Sequence, residues 1–172
     1  MAQQINSPNQ NSTISDSPSS KPKVGFLTKA FASGLFSGFS PVASGTVGSA
    51  VGLLFYAIPG FERWYVILPA SLVVLVLGIK ASDEMEKVYG HDPGEVTIDE
   101  VLGMWISLCF LPKTILIAVL AFFIFRILDI VKPYPARRFD NLHGGAGVML
   151  DDVVSAIYTN LLLQLAVGLH LI

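Results

Sequence analysis

TIDEVLGMWISLCFLPKTILIAVLAFFIFRILDIVK, residues 97–132, decides how this chain folds. The stretch opens on two carboxylates, Asp99 and Glu100. It runs apolar over 101–111, breaks at Pro112-Lys113, and runs apolar again over 115–131, with Arg126 and Asp129 near its end. As a helix the first run reaches roughly 17 Å, short of a hydrocarbon core near 30 Å. Two helices joined by a short connection form an antiparallel hairpin. The stretch therefore predicts a short helix running inward from Asp99 and a longer one returning, which brings Arg126 and Asp129 back to the level of Asp99 and Glu100.

Working outward, residues 42–58, 64–79 and 153–172 are further membrane-length candidates. Pro59-Gly60 ends the first, and Trp64 and Tyr65 at the start of the second suit a membrane interface. Residues 24–39 (VGFLTKAFASGLFSGF) read as an interfacial helix. Residues 80–95 are polar and charged, with His91-Asp92-Pro93-Gly94 as a turn, and 132–147 form a polar loop. The composition agrees: 52% of residues are hydrophobic and 14% charged, and the mean hydropathy is +0.61. The expected fold is all-α, a multi-helical integral membrane protein with about four spanning segments, one of them the short-helix hairpin. Residues 1–23, rich in Ser, Asn, Gln and Pro, are expected to be a disordered tail without a signal-peptide pattern. Residues 24–172 form the single membrane-embedded domain. The net charge of −2 gives no reason to expect a nucleic-acid partner, and Cys109, the only cysteine, excludes an intramolecular disulfide.

The helix order places the charges. Asp99-Glu100, Arg126 with Asp129, and Asp151-Asp152 at the entrance of the last span all fall on one side, and SGTVGS (44–49) joins them. Nine Lys and Arg (Lys21, Lys23, Lys29, Lys80, Lys87, Arg126, Lys132, Arg137, Arg138) share that side, against Arg63 and Lys113 opposite. The positive-inside rule then predicts a cytoplasmic motif face and a C-terminus outside the cytoplasm.

An ionisable group beside membrane-length apolar sequence needs a partner, a metal or a water-filled cavity. Asp99, Glu100, Asp129, Asp151 and Asp152 supply hard oxygen ligands of the kind Mg²⁺ takes, usually together with substrate phosphate. Arg126 lies three residues before Asp129 and suits either that carboxylate or a phosphate. The bland alternatives are that the acidic pairs favour helix N-termini and that Arg126–Asp129 is a structural ion pair. Lys132, Arg137 and Arg138 suit a phosphate or anionic lipid. His143 offers a proton donor, or is incidental. SGTVGS, with Thr46, presents backbone N–H groups to an anion or packs helices closely through Gly45, Gly48 and Gly52. Gly103 is expected to let another backbone approach Asp99 and Glu100.

Three segments, GFSPVASGTVGS (38–49), TIDEVLGMW (97–105) and FRILDIVKPYPARRFDNLHGGAGVMLDD (125–152), resemble the phosphatidylglycerophosphatase A family over about residues 25–172. Ser44 stands where members often carry proline. The resemblance implies a Mg²⁺-dependent enzyme of the bacterial inner membrane, hydrolysing the terminal phosphate monoester of the phospholipid phosphatidylglycerophosphate. It implies catalytic roles for Asp99, Glu100, Asp129 and Asp152, and metal binding by these with Asp151. Phosphate contacts are expected from Arg126, Lys132, Thr46, Arg138 and His143. The competing classes are a phosphatase of broader lipid-phosphate specificity, a CDP-alcohol phosphotransferase, whose Asp-Gly…Ala-Arg pattern is not found, and a small cation transporter, which would carry its acids near the bilayer midplane.

Overall fold

The computed structural model describes residues 23–140 and 142–172, so the tail expected at 1–23 lies outside them but for Lys23. The described residues are helical. In order they form α1 (Phe26–Ala32), a 3-10 turn (Ser37–Phe39), α2 (Ser44–Ala57), α3 (Trp64–Tyr89), α4 (Ile98–Ser107), α5 (Ile115–Val131), α6 (Ala136–Asp140) and α7 (Gly145–Gly168).

Side chains that cross between helices fix their directions. At one end Lys113, in the α4–α5 connection, donates to the Ile58 carbonyl and to Glu62 of the α2–α3 turn, both at 2.9 Å. That ammonium holds the half-buried Glu62 carboxyl below the usual carboxylate range. Trp105 Nε1 donates to Gly52 O of α2 at 3.0 Å, and Asn160 of α7 donates to Ser107 O and Cys109 O at the end of α4. Thus α2, α4 and α7 run away from the other end, and α3 and α5 run back to it. The hairpin read from residues 97–132 is present, and it carries Arg126 and Asp129 to the level of Asp99.

The core is threaded by α4, whose Val101, Leu102, Met104 and Trp105 are buried among the other helices. The outside is greasy. Leu68, Leu72, Val76, Leu116, Phe123, Ile127 and Leu161 are exposed on α3, α5 and α7, and Trp64 and Tyr65 stand exposed at the end away from the acidic motifs. So large an apolar surface needs a lipid cover.

Several boundaries differ from expectation. Two helices, α3 and α7, are long and apolar enough to cross a membrane, where about four spanning segments were expected. Helix α2 has 14 residues and α5 has 17, which gives roughly 21 and 25 Å. Helix α3 continues ten residues past 79 through the charged stretch, because Ala81, Ser82 and Met85 keep a buried face there. Helix α7 begins at Gly145 rather than 153, so Asp151 and Asp152 sit in its second turn instead of at its entrance. The interfacial helix is cut to seven residues by left-handed backbone at Gly34, Leu35 and Phe36. Gly103 admits the Phe125 ring of α5, not a backbone.

Candidate active site

The acidic end is assembled from three helices. Buried Thr97 fixes the start of α4: its N–H donates to Ala32 O at 3.0 Å, and its hydroxyl lies 2.8 Å from Ser37 Oγ. Asp99 and Glu100 follow in the first turn of α4. Near the end of α5, Arg126 Nη1 donates to Asp129 Oδ2 at 2.7 Å and lies 3.8 Å from Glu100 Oε1, tying α5 to α4. Lys132 caps α5 in left-handed backbone, a common helix stop before proline. Its ammonium lies 2.6 Å from Asp151 Oδ2 and 3.9 Å from Asp92 Oδ2.

Helix α7 is positioned from outside. Asp83 Oδ1 accepts from Gly145 N at 2.5 Å, and Glu86 Oε2 accepts from Gly144 N at 2.6 Å. A side chain at Gly145 would strike the Ile79 carbonyl, so the two helices meet backbone to backbone. This clamp sets the register that puts Asp152 beside Asp99 and Glu100. One carboxylate oxygen from each of these three lies within 4.8 Å of the others. The surrounding pocket, about 200 Å³, is lined also by Asp129, Lys132, Asp151, Ser44 and Asp92. A larger cleft of about 460 Å³ under the α2–α3 turn contains no carboxylate, so volume alone does not locate the chemistry.

The helix-cap alternative fits poorly. Asp151 and Asp152 are too far into α7 to cap it. Among the described residues, the only backbone N–H groups that Asp99 and Asp151 accept from are those of the next residue, at 3.1 and 3.0 Å, and Asp151 Oδ2 is taken by Lys132. Meanwhile Glu100 Oε2 and Asp152 Oδ2 are buried without a hydrogen-bond partner, as is Arg126 Nε. Two carboxylates 4.8 Å apart repel by roughly 3–4 kcal/mol at an effective dielectric near 20. Three carboxylates at this spacing, two of them with an unpartnered oxygen, can hold a divalent cation, and Mg²⁺ fits the donor set.

The structure thus brings together Asp99, Glu100, Asp129, Asp151, Asp152, Arg126 and Lys132. Arg126 touches the cluster through Asp129 and Glu100 without lining the pocket, and three other expected residues lie outside the lining as well. Thr46 is half-buried in the first turn of α2; Arg138 is exposed and lies over the Tyr134 ring at 5.0 Å; and His143 stacks on His91 at 4.5 Å between ring centroids. Close packing explains the α2 glycines, since a side chain at Gly48 would meet Thr97 and one at Gly52 would meet Met104. Sequence reasoning missed Ser44 and Asp92 as lining residues, and Asp83 and Glu86 as the clamp. Asp92 carried a signal, an acid in a Pro-Gly turn seven residues before Asp99 with no crossing between them. The clamp carried none, because its partners lie about 60 residues away.

Fold and site define a membrane-associated helical protein with a buried, cation-competent acidic centre at one end. A sequence model of the family described as "Phosphatidylglycerophosphatase A" matches residues 30–167, and the chain belongs to that family. A phosphatidylglycerophosphatase A of Escherichia coli is 40% identical over 72% of this chain and 74% of its own length. A phosphatidylglycerophosphatase A of Haemophilus influenzae is 32% identical, covering 78% and 83%. A protein of Bacteroides thetaiotaomicron, provisionally named a phosphatidylinositol-3-phosphatase, is 38% identical over 82% of this chain and 94% of its own. No solved structure matches. Membership makes the chain a hydrolase of the lipid-phosphatase kind.

Proposed function

We propose that the chain hydrolyses the terminal phosphate monoester of phosphatidylglycerophosphate, giving phosphatidylglycerol and inorganic phosphate, in a Mg²⁺-dependent reaction. The observation that carries this reading is the meeting of Asp99 and Glu100 of one motif with Asp152 of another, with buried unpartnered oxygens on Glu100 and Asp152.

Asp99, Glu100 and Asp152 would hold the metal, with Asp129 and Asp151 beside them. Bound there, Mg²⁺ supplies Lewis-acid neutralisation of the phosphoryl oxygens. Arg126 holds Asp129 and places its guanidinium charge behind the carboxylates that face the phosphate. Lys132, which lines the pocket, adds positive charge for the incoming monoester. When water attacks, its oxygen bonds to phosphorus, a cluster carboxylate takes its proton, and the lipid alcohol leaves with the P–O bond pair and a proton. Attack by an aspartate through a phosphoenzyme uses the same groups.

The membrane arrangement belongs to the same proposal. Helices α3 and α7 cross, the shorter α2, α4 and α5 pack beside them, and the acidic end faces the cytoplasm of a bacterial inner membrane. A reporter fused after Ile172 should then read outside the cytoplasm.

Purified chain given phosphatidylglycerophosphate and Mg²⁺ should release phosphate, and EDTA should stop it. Full activity in both Asp152→Asn and Asp99→Asn would sink the assignment. The Bacteroides relative favours one second reading, a 3-phosphorylated inositol lipid as substrate, and a panel of the two lipids decides between them.

A further inference from the structure

A second cavity is lined in part by residues next in sequence to those of the acidic pocket. It is an apolar groove of about 330 Å³ between α5 and α7, lined by Leu128, Pro133, Tyr158, Leu161, Leu162 and Leu165. On α5 it shares the last turn with the pocket: Leu128 and Pro133 flank Asp129 and Lys132. On α7 it continues the stripe of Asp151, because Tyr158, Leu162 and Leu165 follow at i+7, i+11 and i+14, within about 40° of one helical face. The stripe passes from buried Asp151 to exposed Leu162 and Leu165, and it descends roughly 21 Å into the apolar zone. Tyr158 stands at the junction, its hydroxyl donating to Tyr134 O at 2.9 Å.

A lipid phosphate bound between Lys132 and the carboxylates would have its glycerol at this junction, with one tail directly over the groove. We infer that the groove is a subsite for one acyl chain of the substrate, which lets the protein select long-chain lipids and not only their headgroup. This rests on the lipid-phosphatase reading for its ligand. Its evidence is that the groove and the charged pocket are lined by residues of the same two helices, adjoining on α5, which a patch bathed in bulk lipid has no reason to show.

The test uses the full chain in lipid nanodiscs and phosphatidylglycerophosphate carrying a photoreactive diazirine in one acyl chain. Labelling should concentrate on residues 158–165 and fall when unlabelled substrate is added. Even labelling over α3 and α7, as bulk lipid would give, overturns the inference. Leu162→Trp and Leu165→Trp fill the groove. They should lower kcat/KM about tenfold or more for chains of about 18 carbons, and less than about twofold for chains of about six. Leu162→Ala cannot clash and should lose about threefold on the long chains alone. Val119→Trp, on the opposite face of α5, should change neither. Equal losses on both substrates, or loss of a dimer with Leu162→Trp, would also overturn it. Focused labelling without any phosphate release would sink the proposed reaction while leaving the groove standing; release with diffuse labelling does the reverse.

Discussion

Gly45 is the position where one methyl group should separate folding from chemistry. It lies in the first turn of α2, buried against the site. A β-carbon there would sit 2.8 Å from Arg126 Nη2 and 2.9 Å from Nη1, and closer still to Glu100 Oε1. Ordinary contact begins at 3.4 Å, so the guanidinium must retreat by roughly 0.6 Å and the Glu100 carboxylate by more, a misplacement of the size that costs about 10²-fold in rate. That corresponds to about 2.7 kcal/mol of lost transition-state stabilisation. The helix itself gains, because Gly to Ala in a helix stabilises by about 0.5–1 kcal/mol, and the atoms that must move are the ends of flexible side chains. The expected result for Gly45→Ala is a melting temperature within a few degrees of the parent, with kcat/KM for phosphate release down by about 10². Gly168→Ala, with nothing within 4 Å, is the control. Activity within about twofold of the parent would refute the claim that the Glu100–Arg126 arrangement sets the rate. Loss of folding together with activity would show the close approach to be structural only.

Three further outcomes are expected. Lys132→Met leaves Asp151 buried without its 2.6 Å partner, and it should cost about 3 kcal/mol in denaturant unfolding. Adding Asp151→Asn should restore most of that stability but not phosphate release. Glu86→Gln and Asp83→Asn weaken the charge-assisted bonds to Gly144 and Gly145. Each should cost about 1–2 kcal/mol, and the pair should loosen Mg²⁺ binding measured by calorimetry without contacting the metal. Mg²⁺ at about 100 times its Kd should stabilise the substrate-free protein by about 2.7 kcal/mol, and Asp152→Asn should remove that gain in thermal scans.

Residues 115–131 were legible to the residue because every signal is local. Thr114 caps α5 by accepting from Ile117 N at 3.2 Å, and Lys132 stops it before Pro133. The grouping of the acids was legible too, since counting crossings needs only helix order. The start of α7 was not, because GGAGVML looks like loop and its two free N–H groups are satisfied by acids on α3. Nor was the charged end of α3, where the buried face of Ala81, Ser82 and Met85 is visible only once α7 packs on it. Helix order puts residues at the same depth; it does not turn them toward one another. That is why His143 and Arg138 were expected at a pocket whose lining excludes them.

A charge count argues for a cation even before substrate arrives. Five acids, Asp99, Glu100, Asp129, Asp151 and Asp152, are enclosed at the site, while Asp92, at 48% side-chain exposure, is left to water. Arg126 and Lys132 offset two of the five. Helices α2 and α4 begin at the pocket with Ser44 and with Asp99-Glu100, and their N-termini together contribute about one further positive charge. The N-terminus of α7 contributes little, because Asp83 and Glu86 already occupy its free N–H groups. About two negative charges are left over, which is the charge of one divalent ion. The clamp that positions α7 therefore also withholds its dipole from the cluster, and the charge left on the fully ionised acids is what a divalent cation at the proposed site would neutralise.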